Sequence, residues 1–360
     1  MQKQTHIDTR KKVLFFLPST TGGAERMTVN IAKMLPKERY EVKFVIVSRT
    51  LGTIIDFIPS RYEVLHIPVH NIYCMSTLRM TRAIMKEHAD VVFCSLHYLN
   101  YRLIIAAKLT GAKVIIRMNM SLSVQNKHNL ALIKLTYPYA NMIIAQQEEM
   151  RQEAINMLNT DESNIISQQN PIDTELIEEK AKAPSPYKQA DEQLKYVWVA
   201  RFSKEKGQDL LVKAFAKVHE KRNMSHLYLI GEYDFTNDYD HSVMSLVLKL
   251  KLEEYVHFVG FDNNPYRWVK HSDVFVMPSR LEGLPNSLIE AMYLGKPVVA
   301  TRCIPIIERI VEEGDNGYTV PSEDIDAMAE AMLKAPHLTD FGLTYHSATK
   351  EDFIRLFDEI

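Results

Sequence analysis

The 360-residue chain is poor in cysteine: Cys74, Cys94 and Cys303 are all it has. They are scattered, odd in number and never spaced Cys-x-x-Cys. Neither a disulfide framework nor a zinc cluster is therefore expected, and a reducing compartment fits best. Long hydrophobic runs are also missing. The longest, residues 13–17 and 274–277 among them, are strand-sized, far short of the roughly 20 apolar residues that span a bilayer. Residues 1–12 are polar and hold no apolar stretch of a signal peptide, so a cytoplasmic location is expected. Absent too are the Gly-x-Gly-x-x-Gly of dinucleotide folds, His-Glu-x-x-His and the EF-hand loop, which disfavours nicotinamide, zinc-protease and calcium chemistry.

What is present is an ordinary globular composition, 46% hydrophobic and 24% charged, long enough for two domains. The net charge of −2 hides an uneven distribution. Residues 1–169 hold 21 Lys and Arg against 13 Asp and Glu, a net of +8; the remainder holds 22 against 32, a net of −10. A basic first half suits an anionic partner such as a lipid headgroup or a phosphate, although surface variation between domains gives the same balance.

Apolar strand-length runs at 13–17, 42–47, 64–67, 91–94, 114–117 and 142–145 alternate with helix-period segments such as 24–35, 78–87 and 102–110. Such alternation predicts βαβ units and a parallel sheet. Residues 170–194, with Pro171, Pro184 and Pro186 and many charges, read as a linker holding a short helix at 175–182. The pattern restarts with strands at 196–200, 227–230, 256–258, 274–277 and 298–300 and helices at 208–220, 243–251, 285–293 and 325–334. An amphipathic helix closes the chain at 350–360. The architecture predicted is α/β, two doubly wound Rossmann-like domains facing across a cleft.

Three segments carry candidate chemistry. The first is Ser279-Arg-Leu-Glu-Gly-Leu-Pro-Asn-Ser-Leu-Ile-Glu290. Glu282 follows a buried strand, Gly283 leaves room for a ligand to approach, and a helix begins near Pro285. The N–H groups of Asn286, Ser287 and Leu288 then form an anion site at the helix start. Glu290, in the second turn, can accept two ribose hydroxyls. The second is Ala200-Arg-Phe-Ser-Lys-Glu-Lys-Gly207, where Arg201 and Lys206 can neutralise a diphosphate as its charge grows; alone, it also reads as a solvated basic loop. The third is Thr20-Thr-Gly-Gly-Ala-Glu-Arg26, in which Gly22 and Gly23 precede a helix, a pattern shared with plain strand–helix connections.

Together these residues resemble retaining glycosyltransferase family 4, of the GT-B fold and the bacterial surface-polysaccharide type. The matching pieces are TGGAER at 21–26, NPID at 170–173, ARFSKEKG at 200–207, LIG at 229–231, VGF at 259–261 and SRLEGLPNSLIEAMYLGKPVVAT at 279–301. The resemblance implies an acceptor-binding domain at 1–170, with helix 349–360 packing back on it, and a nucleotide-sugar-binding domain at 171–348. It implies that Arg201 and Lys206 bind the donor diphosphate and that Glu282 holds sugar hydroxyls, with Gly283, Leu284, Asn286, Ser287 and Leu288 lining the same loop. Glu290 would bind the ribose, Gly231 and Phe261 would lie by the donor, and Gly23 would admit phosphates or acceptor. The leaving phosphate itself would take the acceptor's proton, so no side-chain base is required. A hexose or N-acetylhexosamine would pass from a nucleotide-sugar, a UDP-sugar by resemblance, to a lipid-linked glycan, with no metal or other cofactor and no nucleic acid. A GT-B-fold sugar-nucleotide epimerase and a non-catalytic relative or scaffold are the alternative readings.

One departure stands out. Many members carry a histidine after the fifth N-terminal strand; here residues 116–121 read Ile-Arg-Met-Asn-Met-Ser. Asn119 can donate and accept in its place, and His97, Arg117 and Gly22 are candidate acceptor-side residues. Asp238-Tyr-Asp240 has the spacing of a metal motif but reads as a solvated loop, since hard cations need more converging oxygens. Residues 75–88 read as a packed helix or as an amphipathic one lying on a membrane, and with the +8 half they make peripheral attachment at the inner face a reasonable expectation.

Overall fold

The computed structural model describes residues 9–20, 22–69, 75–188, 193–338, 343 and 345–360; Thr21 and Cys74 lie outside these. The chain forms two compact units, one of residues 1–171 with 347–360 and one of residues 172–346.

The first unit runs β1 (Lys11–Leu17), α1 (Gly23–Met34), β2 (Tyr40–Ser48), β3 (Glu63–Pro68), α2 (Ser76–Glu87), β4 (Val91–Cys94), α3 (His97–Thr110) and β5 (Lys113–Met118). It continues through α4 (Lys127–Thr136), β6 (Met142–Ala145), α5 (Glu148–Met157) and β7 (Ile165–Ser167). The strands form one parallel sheet in the order β3-β2-β1-β4-β5-β6-β7. Val13 of β1 pairs with Val42 on one side and Val91 on the other. All of β4 and β6 is buried, as expected of parallel strands covered on both faces. One face carries α2 to α5; the other carries α1 and, from the far end of the chain, α13 (Lys350–Asp358). Phe357 of that last helix lies against Phe15 and Phe93, ring centroids 5.8 and 6.0 Å away.

The second unit runs α6 (Thr174–Ala181), β8 (Leu194–Val199), α7 (Gln208–Lys221), β9 (Ser225–Ile230), α8 (Asp238–Lys249), β10 (Val256–Gly260) and α9 (Pro265–Lys270). Then come β11 (Val274–Met277), α10 (Asn286–Tyr293), β12 (Val298–Thr301), α11 (Pro305–Ile310), β13 (Gly317–Val320) and α12 (Ile325–Lys334). Its parallel sheet has the order β10-β9-β8-β11-β12-β13. The period-2 alternation sends Tyr196 and Trp198 to the face covered by α7, α8 and α12, and Val197 to the face covered by α6, α9, α10 and α11. In each sheet the strand order reverses beside the first strand, between β1 and β4 and between β8 and β11. Doubly wound sheets open a ligand crevice at the carboxyl ends of such strands.

Four short elements escape the sequence pattern: β7, β13, α9 and α11 have three, four, six and six residues. One expectation is corrected. Asp238-Tyr-Asp240 is not a loop but the first turn of α8, whose cap is Asn237. Asp240 is buried, and its carboxylate accepts the Asp234 N–H at 2.8 Å. Two acids at a helix N-terminus are favoured by the helix dipole, so the motif closes a turn.

Candidate active site

The loops after β8 and β11 leave neighbouring strands of the second sheet, and the packing between them is close. Gly207 has φ +73°, and a Cβ there would lie 2.1 Å from the Pro278 carbonyl oxygen. Only glycine serves both demands. Arg280 ties the two loops further. Its backbone N–H donates to the Glu205 carbonyl at 2.7 Å, and its guanidinium donates to the Lys204 carbonyl at 2.7 Å. The same guanidinium grips Asp209 through two bonds of 2.8 Å and also reaches Glu323. Burial pushes the Asp209 carboxyl up, but the bonds from Arg280 and Tyr239 outweigh it and hold it below the usual range. The hydrogen bond to Asp209 raises the Arg280 guanidinium further, so its charge is permanent.

Within this frame Lys206 meets Glu282. The ammonium lies 2.7 Å from both carboxylate oxygens, and the Ser279 hydroxyl donates to Oε1 at 2.7 Å. The Glu282 side chain is only 9% exposed and that of Lys206 22%. Cys303 lies close by: burial, then the Glu282 charge, push its thiol up to about 12. The thiol is therefore protonated and unreactive near neutrality.

The start of α10 follows directly. Pro285 is its N-cap, and the Asn286 N–H already donates to the Leu284 carbonyl at 2.9 Å. That corrects the expected trio of free donors: Ser287 and Leu288 carry the remaining N–H groups of the first turn. Leu284 and Leu288 are buried and pack the loop down, while Gly283, Asn286 and Ser287 stay partly exposed. Glu290 is half-buried, its Oε1 3.4 Å from the Tyr266 hydroxyl. Arg201 is exposed, and its carbonyl is held by Gln208 at 3.0 Å. Gly231 is required by packing, since a Cβ there would meet the Ala200 carbonyl oxygen at 1.8 Å. Phe261, just past β10, is 58% exposed.

The first unit brings a second group of residues to its own switch point. Gly22 caps α1 and Gly23 opens it. A Cβ on Gly22 would lie 2.5 Å from the carboxylate of Glu25, which is buried and accepts the Thr20 hydroxyl at 3.1 Å. From the neighbouring strand end, Ser95 bonds Thr28 of α1. His97 is the first residue of α3, and burial lowers its pKa, favouring the neutral ring. Asn119 is partly exposed just beyond β5. Arg117 departs from the expectation of an accessible acceptor contact. It lies inside β5, 1% exposed, with its carbonyl accepting from Asn100 at 3.2 Å.

Ser279, Arg280, Asp209 and Glu25 were not singled out in the sequence. Arg280 and Asp209 are 71 residues apart. An arginine leaving one strand and an acid in the first turn of one helix become a pair only when the two connections are folded together.

The chain belongs to glycosyltransferase family 4. Residues 21–176 match the family described as Glycosyltransferase Family 4, and residues 179–344 match Glycosyl transferases group 1. An uncharacterized glycosyltransferase of Methanocaldococcus jannaschii is 28% identical over 173 residues, 47% of this chain and 42% of that protein. A Campylobacter jejuni enzyme, N-acetylgalactosamine-N,N'-diacetylbacillosaminyl-diphospho-undecaprenol 4-alpha-N-acetylgalactosaminyltransferase, is 25% identical over 348 residues, 90% of this chain and 89% of the relative. Among solved structures, Anabaena HepE in complex with UDP and glucose superposes with a TM-score of 0.76 at 18% identity, over 97% of this chain and 95% of that one. The fold is thus GT-B and the protein is a glycosyltransferase. Among the described residues, no helix is long and apolar enough to cross a membrane, and no cluster of three or more His, Cys, Asp or Glu is gathered as metal ligands.

Proposed function

We propose that this glycosyltransferase moves a hexose or N-acetylhexosamine from a UDP-sugar to a lipid-linked glycan, with retention of anomeric configuration, at the cytoplasmic face of the membrane. The observation that carries the reading is Glu282, held by Lys206 and Ser279 at the switch point of the second sheet. Residues 172–346 bind the donor and residues 1–171 the acceptor. The named substrate of the Campylobacter relative, a diphospho-undecaprenol, supports a lipid-linked acceptor. The UDP in HepE supports the donor base.

In this reading Lys206 turns from Glu282 to the donor diphosphate, and Arg201 joins it from solvent. Glu282 is then left as an acceptor for sugar hydroxyls, while Glu290 takes the ribose. The first turn of α10, at Ser287 and Leu288, adds partial positive charge. As the bond from the anomeric carbon to the diphosphate breaks, its electron pair leaves with the phosphate oxygen. The acceptor oxygen bonds to the anomeric carbon on the same face and gives its proton to that phosphate. The two side-chain cations supply charge neutralisation that needs no metal ion. In this reading Asn119 and His97 support the sugar, and Phe261 lies beside the base.

Calorimetry with UDP, GDP and ADP, with and without magnesium, tests the donor side. Tight binding of UDP alone, unchanged by magnesium, is expected; preference for another nucleotide, or dependence on metal, overturns it. The anomeric configuration of the product, read by NMR, tests retention.

A further inference from the structure

Arg201 and Lys206 both stand on irregular backbone. Arg201 lies in a loop, and Lys206 ends a three-residue 3-10 turn, Lys204–Lys206. A turn this short has too few internal hydrogen bonds to hold its own place. Two side chains take on that task. The Gln208 amide donates to the Arg201 carbonyl at 3.0 Å. Arg280 holds the Lys204 carbonyl through its guanidinium and the Glu205 carbonyl through its backbone N–H, both at 2.7 Å.

Both braces lead to Asp209, in the first turn of α7. Arg280 meets it through two bonds of 2.8 Å. From the other side the Tyr239 hydroxyl, in the first turn of α8, reaches Asp209 Oδ1 at 2.8 Å and Gln208 Oε1 at 2.9 Å. Its one hydrogen can serve either acceptor. Gln208 is fully buried, away from water, so these partners fix which way its amide points. The network ties the connection after β8 to the start of α8 and to the connection after β11. Its charges suit bracing rather than ligand binding. Arg280 is shared by Asp209 and Glu323, which leaves no positive charge over for a phosphate. Asp209 is itself an anion and repels one.

We infer that Asp209 is a positioning residue for the donor: through Arg280 it fixes the backbone of Lys206, and through Tyr239 and Gln208 it fixes that of Arg201. One side chain then sets both cations for the diphosphate without touching it. The inference rests on the reading of Arg201 and Lys206 as the diphosphate's partners.

Calorimetry of the full chain with UDP tests it. Asp209→Asn keeps the shape of the side chain but puts an amide nitrogen where a carboxylate oxygen accepts. UDP affinity is expected to fall about tenfold, the lower end for a lost hydrogen bond to a charged group. Tyr239→Phe removes only the hydroxyl and is expected to cost about threefold, through the Gln208 branch. It decides the matter if a melting curve shows that Asp209→Asn does not fold. Lys206→Ala supplies the background that separates positioning from general loosening. There Asp209→Asn should cost only about threefold, because the Arg280 branch has no ammonium left to place. A merely structural Asp209 would cost the same in both backgrounds. Native UDP affinity in Asp209→Asn or in Tyr239→Phe, or an undiminished loss in the Lys206→Ala background, overturns the inference while Lys206→Ala alone stays weak. Unchanged affinity in both Arg201→Ala and Lys206→Ala would instead refute the reading of the two cations, and the inference with it.

Discussion

Lys206 and Glu282 face each other where water reaches neither fully, and each is the other's main compensation. Their proposed tasks nevertheless differ, one toward phosphate and one toward sugar, so substitutions should separate them. Lys206→Ala is expected to weaken UDP binding by about 10- to 100-fold in calorimetry, because a desolvated charge-assisted contact is lost. Glu282→Ala is expected to leave UDP affinity within a few-fold while transfer falls about 10²- to 10³-fold, as for loss of a transition-state contact. Equal loss of UDP affinity in both variants would refute the division of roles. Glu282 and Lys206 were legible as single letters of recognisable segments, since each follows a strand by a few residues. Their contact was not, because they stand 76 residues apart. Arg280 stayed unread for the same reason, although it organises both loops.

At the scale of elements, the candidate site rests on two connections that touch through their backbones. Gly207→Ala places a Cβ against the Pro278 carbonyl and forces a left-handed φ on an L-residue. The conformational part alone costs about 1–2 kcal/mol. A carbonyl cannot swing aside as a side chain can, so the loop itself must shift and carry Lys206 with it. A lower melting temperature together with weaker UDP binding is the expected pair of results; unchanged nucleotide affinity would show that the loop's register is not what positions Lys206. The β9–β10 edge yields a second prediction. His226 Nδ1 and His257 Nε2 are 2.9 Å apart, and their rings are stacked, with Lys195 adding positive charge around His226. Burial, then His226, lowers the His257 pKa to about 4, and burial lowers that of His226. The unfolded chain therefore binds protons first as pH falls from about 6.5. Stability is full above that value, declines as pH drops toward 4 and levels off below. Urea midpoints measured across this range should show the decline, and His257→Gln should flatten it. An equal slope in the variant would place the titration elsewhere.

At the scale of the whole molecule, the chain's last helix belongs to its first unit. Phe353 and Phe357 are fully buried in the core that also holds Phe15, Phe44 and Phe93. Asp358 bonds the Tyr40 hydroxyl and pairs with Arg39 at 2.5 Å. Phe357→Ala should cost the first unit about 3–5 kcal/mol, the range for truncating a buried phenylalanine. Hydrogen exchange resolves this by unit: amides of β1 and β4 should lose protection while those of β8 and β11 keep theirs. Equal loss in both sheets would mean that the two units unfold together.

The order of strands and helices, the break near residue 171 and the segments that carry Glu282, Lys206 and Glu290 were all determined locally. Hydrophobic period and turn chemistry act within a dozen residues and survive in a bare sequence. The shortest elements, such as β13 with its Gly-Tyr-Thr-Val, were not, because four residues hold too little period to read and are stabilised by neighbours already in place. Only the tertiary structure decided that Asp240 closes a helix turn rather than meeting solvent, that Arg117 lies inside the sheet, and that the Asn286 N–H is already engaged. Each of those depends on groups brought together by the packing of strands and helices, and burial and hydrogen-bond partners do not exist until that packing does.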